Sequence, residues 1–135
     1  MEITVDQMHE PSVTVMQLAG QLDGSNYRSL ISKATELYNQ GTRRLVVDLS
    51  ALSFLSSAGL TALHSVALQF SGEQPLDLES GWEALRSVDR ALDIGMKHAV
   101  KLVNPQPNVA RTLEITGLDT MFDFYPDVQS AVASY

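Results

Sequence analysis

The chain of 135 residues contains no cysteine, which excludes a disulfide framework and thiol chemistry. It also lacks any apolar run near the ~18 residues that a membrane-spanning helix needs. Its acidic, alternating N-terminus is unlike a signal peptide. These absences predict a cytoplasmic protein without membrane insertion.

Basic residues are scarce, because nine Lys and Arg stand against 16 Asp and Glu, giving a net charge of -7. A nucleic-acid-binding surface needs a basic face, so this balance argues against such a partner. It also disfavours anionic membranes and suits a basic protein partner. What is present is ordinary for a folded globule: 44% of residues are hydrophobic and 19% are charged. The length fits one domain, residues 1–135.

Hydrophobic periodicity predicts an opening hairpin followed by alternating strands and helices. The predicted strands are Ile3–Met8, Val13–Ala19, Leu45–Leu49, Val100–Val103 and Met121–Tyr125. Helices are predicted after Gly24–Asn26, after Ser56–Ser57, after a capping Asn108, and after Pro126–Asp127. This order implies an α/β fold with a mixed, mostly parallel sheet of about five strands and helices packed on it.

The segment from Leu45 to Leu60 carries the strongest functional signal. A buried strand ends in Asp48, a short polar turn follows, and Ser56–Ser57–Ala58–Gly59 opens a helix. Functional sites of open α/β sheets lie outside the carboxyl ends of strands. A helix N-terminus favours an anion, so a serine there is a candidate acceptor of phosphate.

Two other interpretations of this corner remain open. Serine before a helix most often caps it, and capping is the favoured interpretation of the Ser56–Ser57 pair on physical grounds alone. A serine at a strand-to-helix turn also resembles a nucleophile elbow, but Ser57 has Leu55 and Gly59 two residues away on either side, so only one of the two glycines is present. We therefore expect no catalytic residue.

Four motifs in order resemble the STAS domain of bacterial anti-sigma factor antagonists. They are Gly20–Asp23, Leu45–Ser50, Phe54–Leu60, and Leu102–Asn104 followed by Val109–Leu118. The resemblance implies a protein that binds a serine-kinase anti-sigma factor and is switched by phosphorylation of a serine at the N-terminus of the second helix. It also implies a phosphatase that resets the switch.

Alignment on Gly59 and Leu60 places the family's phosphorylated hydroxyl on Ser57, with Ser56 the weaker candidate. The family's preceding Asp falls on Ser56 and its second hydroxyl on Ala58. The resemblance implies a partner-binding surface made of Asp23, Asp48, Ser56, Ser57, Ala58 and Gly59. Asp23 and Asp48 are expected at neighbouring strand ends, although either could be a turn or strand-end residue alone.

The alternative within the same family is a STAS subunit of a lipid-transport or stress-signalling assembly that has no phosphoswitch. The main departure from the family is an insertion at about residues 73–99. Apolar residues recur there at helical spacing, which predicts an inserted helix around residues 80–97. They are Trp82, Leu85, Val88, Leu92 and Met96. This helix could cover the sheet, or it could form a partner surface, a homodimer surface or a ligand lid.

The three histidines, His9, His64 and His98, are far apart and show no metal-ligand spacing. The sequence therefore predicts no metal site and no cofactor.

Overall fold

The computed structural model describes residues 1–9, 12–71 and 99–135. The first strands are β1 (Glu2–His9) and β2 (Ser12–Leu22), followed by helix α1 (Tyr27–Asn39), β3 (Leu45–Leu55) and α2 (Ser57–Phe70). After residue 98 come β4 (Val100–Val103), α3 (Pro107–Thr116), a short 3-10 helix (Leu118–Met121), β5 (Asp123–Tyr125) and α4 (Val128–Ala133). The predicted insertion at 73–99 and its helix at 80–97 fall outside the described residues, apart from Ala99.

The five strands form one sheet in the order β1-β2-β3-β4-β5. β1 and β2 are antiparallel, and every later neighbour in the sheet is parallel. The predicted α/β architecture, with its opening hairpin and mostly parallel sheet, is confirmed. Because α1, α2 and α3 carry buried residues that belong to one cluster, they cover one face of the sheet. The residues of α4 belong to a second cluster on the opposite face.

Strand β3 shows why both faces are covered. Val47 and Leu49 belong to the cluster under α1 and α2, whereas Val46 belongs to the cluster under α4. Successive side chains of a strand point to opposite faces, so a strand buried on both sides is apolar without alternation. The sequence Leu45–Val47 has this character, and all three residues are fully buried.

The prediction that β3 ends near Asp48 and is followed by a polar turn is wrong. The strand continues to Leu55. Among the strands of the described ranges, only β2 pairs with its second half, from Ala51 beside Ala19 to Leu55 beside Leu22. Two register shifts interrupt this pairing. Gly20 lies beside them with φ of 100°, a left-handed conformation that glycine adopts most easily.

Two smaller predictions also need correction. Asn108 does not cap α3: Gln106 occupies the N-cap position, and Asn108 lies inside the first turn. The last strand is Asp123–Tyr125, because Met121 belongs to the 3-10 helix. The predicted start of α4 is confirmed, since Asp127 caps it by accepting a hydrogen bond from the Ser130 amide at 2.7 Å.

Candidate functional site

The candidate site lies where β2 and β3 end side by side and each leads into a helix. Leu22 and Leu55 are paired at the ends of these strands, and the Ser56 amide donates to the Leu22 carbonyl at 3.0 Å. Asp23 and Ser56 are therefore neighbours at the carboxyl edge of the sheet. The N-termini of α1 and α2 meet at this edge, and the two helices pack against each other.

The two serines of this corner have different roles. Ser56 occupies the N-cap position of α2, and its Oγ accepts a hydrogen bond from the Gly59 amide at 3.2 Å. Ser57 is the first residue of the helix and is exposed. Within the described part of the chain, the Ser57 hydroxyl has no hydrogen-bond partner. The capping interpretation is therefore confirmed for Ser56, and the free hydroxyl at this corner belongs to Ser57.

Gly59 lets the start of α2 pack closely against the end of β2. An ideal Cβ at this position would lie 2.7 Å from Leu55 Cδ1, 2.8 Å from the Leu22 carbonyl oxygen and 2.9 Å from Leu22 Cγ. Real Cβ atoms essentially never approach other atoms this closely. Gly59 is buried in this contact, and the close packing of the first turn of α2 against Leu22 and Leu55 fixes the position of Ser57.

Asp23 organises the loop between β2 and α1. Its carboxylate accepts hydrogen bonds from the Ser25 amide at 2.9 Å and the Ser25 hydroxyl at 2.6 Å. These two bonds to Ser25, the hydroxyl one first, lower the pKa of Asp23 below its usual value. The side chain of Asn26 also holds the loop together. It accepts a hydrogen bond from the Asp23 amide and donates one to the Gln21 carbonyl. The loop carries a fixed negative charge beside the start of α2.

A shallow depression of about 270 Å³ adjoins the free hydroxyl. Tyr27, Ser57, Ala58 and Thr61 line it, so it lies between the first turns of α1 and α2. On the strand side of the corner, near the end of β3, the side chain of Phe54 is 46% exposed. Exposed aromatic residues are enriched where proteins bind partners.

Asp48 does not belong to this corner. It lies seven residues before the end of β3, beside Gln17 and Val103, and not at a strand end next to Asp23. Strand alternation places it on the face that Val46 shares with α4. Its carboxylate accepts from the Ser50 amide at 3.0 Å. The expected pairing of Asp23 and Asp48 is wrong because β3 is longer than its apolar core indicates.

Sequence reasoning missed the contact between α3 and the second half of β3. The Asn108 side chain donates to the Ser53 carbonyl at 2.7 Å, and the Gln106 side chain donates to the Ser50 carbonyl at 3.0 Å. These bonds satisfy strand carbonyls that β4 is too short to reach. Both partners lie more than 50 positions away in sequence. No local pattern could reveal such a contact.

Neither histidine of the described residues lies within hydrogen-bond reach of Ser57. His64 follows it by seven residues on the same helix, about 10 Å along the axis, which is beyond hydrogen-bond reach. Burial lowers the pKa of His64. His9 lies at the end of β1, and His98 falls outside the described residues. Within residues 1–9, 12–71 and 99–135, no three His, Asp or Glu side chains are grouped as metal ligands.

The helices of the described ranges are all too short or too polar to cross a bilayer.

The sequence of the chain is similar to known families and to a named relative. A family model described as "Mlab, STAS domain" matches residues 5–94, and a second, described as "STAS domain", matches residues 77–131. A protein of Bordetella bronchiseptica named as an anti-sigma factor antagonist, BtrV, is 26% identical over all of this chain and 95% of its own length.

Two solved structures show the same fold. An anti-sigma factor antagonist from Mycobacterium paratuberculosis is 24% identical with a TM-score of 0.67, covering 98% of this chain and 93% of its own. The Bacillus cell fate determinant SpoIIAA in its phosphorylated form is 16% identical with a TM-score of 0.56, covering 99% of this chain and all of its own. At these identities, the likeness establishes the fold alone.

Proposed function

The chain belongs to the STAS domain family, and from this premise we propose that it is a regulatory protein that binds a serine-kinase anti-sigma factor. We propose further that phosphorylation of Ser57 switches this binding off. Two relatives bear the name anti-sigma factor antagonist, and SpoIIAA, which shares the fold, has been solved in a phosphorylated form.

One observation carries the proposal: the Ser57 hydroxyl is exposed at the start of α2 with no hydrogen bond within the described chain, whereas Ser56 is used as the cap. A kinase must bring a serine oxygen in line with the γ-phosphate of ATP, so a free, exposed hydroxyl is the better acceptor. Modification of Ser57 also leaves the capping bond of Ser56 intact. The fold should therefore tolerate the modification.

The surface around Ser57 fits a protein partner. Phe54 offers an exposed ring, Ala58 and Tyr27 line the depression, and Asp23 holds a negative charge at its side. We propose that the kinase binds over this corner, with Ser56 and the buried Gly59 holding it in shape. Asp48 lies on the other face of the sheet, so its role in partner binding remains a prediction that is separate from this surface.

Phosphate would change this surface more than the fold. It adds roughly -1.5 to -2 charges at neutral pH. At the helix N-terminus the dipole tolerates this charge. In a closed interface the same charge would lose water without a matched charge on the kinase, which weakens binding. Unphosphorylated protein is thus the binding form.

The test is phosphorylation of the purified chain by serine-kinase anti-sigma factors of its own organism, with the product mapped by mass spectrometry. We expect phosphate on Ser57, its loss in Ser57→Ala, and its retention in Ser56→Asp, which keeps a capping side chain. Recovery of the corner peptide in unmodified form with every such kinase would refute the phosphoswitch. Phosphate confined to Ser56 would refute the choice of Ser57.

The remaining parts of the proposal follow from the same role. The protein acts in the cytoplasm as a binding module and not as an enzyme, without a cofactor. A phosphatase would reverse the modification. A second copy of the chain is a further candidate partner, to be tested by light scattering on the purified protein.

A second candidate is a STAS subunit of a lipid-transport or stress-signalling assembly without a phosphoswitch. The observation in its favour is that the family model covering residues 5–94 bears the name Mlab and no name that refers to sigma factors. Co-expression with the transporter ATPase and permease of the same organism would test it. A stoichiometric complex that forms equally well with Ser57→Ala and Ser57→Asp would favour this candidate over the switch.

A further inference from the structure

We propose that Arg28 is the receptor for the phosphate on Ser57, so that phosphorylation joins the first turns of α1 and α2 by a charge-assisted contact. This inference rests on the proposed phosphorylation of Ser57. It adds the residue, on a different helix, whose side chain binds the phosphate once Ser57 carries it.

Arg28 is tethered to Tyr27, one of the residues that line the depression beside Ser57. Its Nε donates a hydrogen bond to the Tyr27 hydroxyl at 3.1 Å, and its guanidinium carbon lies 5.6 Å from the centre of that ring. Tyr27 and Ser57 both line the depression. The guanidinium is thus held by the hydroxyl of a residue that shares the depression with Ser57, and we infer that a phosphate on Ser57 comes within its reach.

The cation has no acidic partner within the described ranges. The ion pair formed there joins Lys33 and Glu36, two turns further along α1. Asp23, the acidic residue of the preceding loop, has its carboxylate bound by Ser25. Arg28 is exposed, and its bond to Tyr27 uses one of five guanidinium N–H donors. The other four are available to an anion.

A phosphate on Ser57 is chemically suited to these donors. A phosphoserine offers three strong acceptor oxygens, and the planar guanidinium can bind two of them in parallel. The unmodified serine offers one neutral hydroxyl, which cannot draw Arg28 in the same way. Phosphorylation would therefore alter the corner twice, by adding an anion at Ser57 and by neutralising the exposed cation of Arg28.

The test uses the full chain with phosphoserine genetically encoded at position 57, so that no kinase is needed. ³¹P NMR then follows the second ionisation of the phosphate with pH. A nearby cation favours the dianion, so we expect the phosphate pKa to be lower with Arg28 than in Arg28→Gln by roughly 0.5, the scale of an exposed ion pair. Arg28→Lys should retain part of the effect, and Tyr27→Phe, which removes the tether, should lose part of it.

Arg44→Gln is the matched control, because Arg44 is also exposed but precedes the opposite end of β3. A phosphate pKa that is the same with Arg28 and with Gln at that position would overturn the proposal. So would an equal change in Arg44→Gln, which would indicate a general charge effect. Because phosphoserine is encoded, failure of every kinase to modify Ser57 would refute the proposed function and leave this contact measurable.

Discussion

Replacing Gly59 by alanine should destabilise the protein through the junction between β2 and α2. The added methyl would lie less than 3.0 Å from three atoms, two of them on Leu22 and one on Leu55. The Leu22 carbonyl cannot retreat easily, because it accepts the hydrogen bond from the Ser56 amide at 3.0 Å. Leu22 is fully buried and Leu55 is 5% exposed, so neither side chain has free space to move into.

The expected magnitude comes from two opposing effects. Overpacking a core costs about 1 to 3 kcal/mol, and contacts to a fixed carbonyl place Gly59→Ala near the upper end. Alanine is favoured over glycine inside a helix by about 1 kcal/mol, which offsets part of this cost. The free energy of unfolding should therefore fall by about 2 kcal/mol. For a chain of this size, that corresponds to a decrease in Tm of roughly 6 to 10 °C.

Chemical and thermal denaturation followed by circular dichroism would measure this change. The matched control is Gly24→Ala, where an added Cβ meets nothing within 4 Å and the backbone is not left-handed. That variant should stay within about 0.5 kcal/mol of the parent or gain slightly. If Gly59→Ala were as stable as Gly24→Ala, the close packing that positions Ser57 would be refuted.

Three further predictions concern caps and the C-terminal residue. Ser56→Ala should lower the free energy of unfolding by about 1 kcal/mol, while Ser56→Asp, which can still cap, should change it little in urea denaturation. Tyr135→Phe should cost about 1 to 3 kcal/mol in the same assay, because the Tyr135 hydroxyl donates its one proton to the Ala99 carbonyl at 2.6 Å, with the Leu45 carbonyl as a second acceptor at 3.0 Å. Hydrogen bonds from the Ser130 amide and hydroxyl lower the pKa of Asp127 in the folded protein. The ionised carboxylate therefore stabilises the folded state above the unfolded pKa near 3.8, and this stabilisation is lost as pH falls through the lower folded pKa. Tm should therefore fall less on acidification in Asp127→Asn than in the parent, and an identical acid profile would contradict this.

The order of strands and helices could be predicted because it depends on the hydrophobic pattern within each segment. The alternation in β1, the unbroken apolar run at Leu45–Val47 and the helical spacing of Leu30, Ala34 and Leu37 all match observed burial. The order of elements already implied the mostly parallel sheet, and the STAS resemblance selected Ser57 over Ser56 as the phosphate acceptor. The family models confirm that resemblance.

The errors arose where distant residues decide the structure. The sequence of the second half of β3, which contains Ser50 and Ser53, predicts a polar turn. In the structure it is a strand, because β2 pairs with it and side chains at the start of α3 donate hydrogen bonds to it. Asp48 was misplaced for the same reason. Asn108 is of a residue type that often caps helices, but its side chain donates a hydrogen bond to a carbonyl of β3 and does not cap α3. The division of roles between Ser56 and Ser57 depends on helix geometry that the sequence Ser-Ser does not contain.

The most direct test of the central claim is the affinity of the kinase for the two forms of this chain. Isothermal titration calorimetry would compare the unmodified protein with protein carrying phosphoserine at position 57, against the anti-sigma factor that phosphorylates it. We expect binding at least tenfold weaker for the phosphorylated form, a loss of about 1.4 kcal/mol or more. Equal affinity for the two forms would contradict the switch at Ser57.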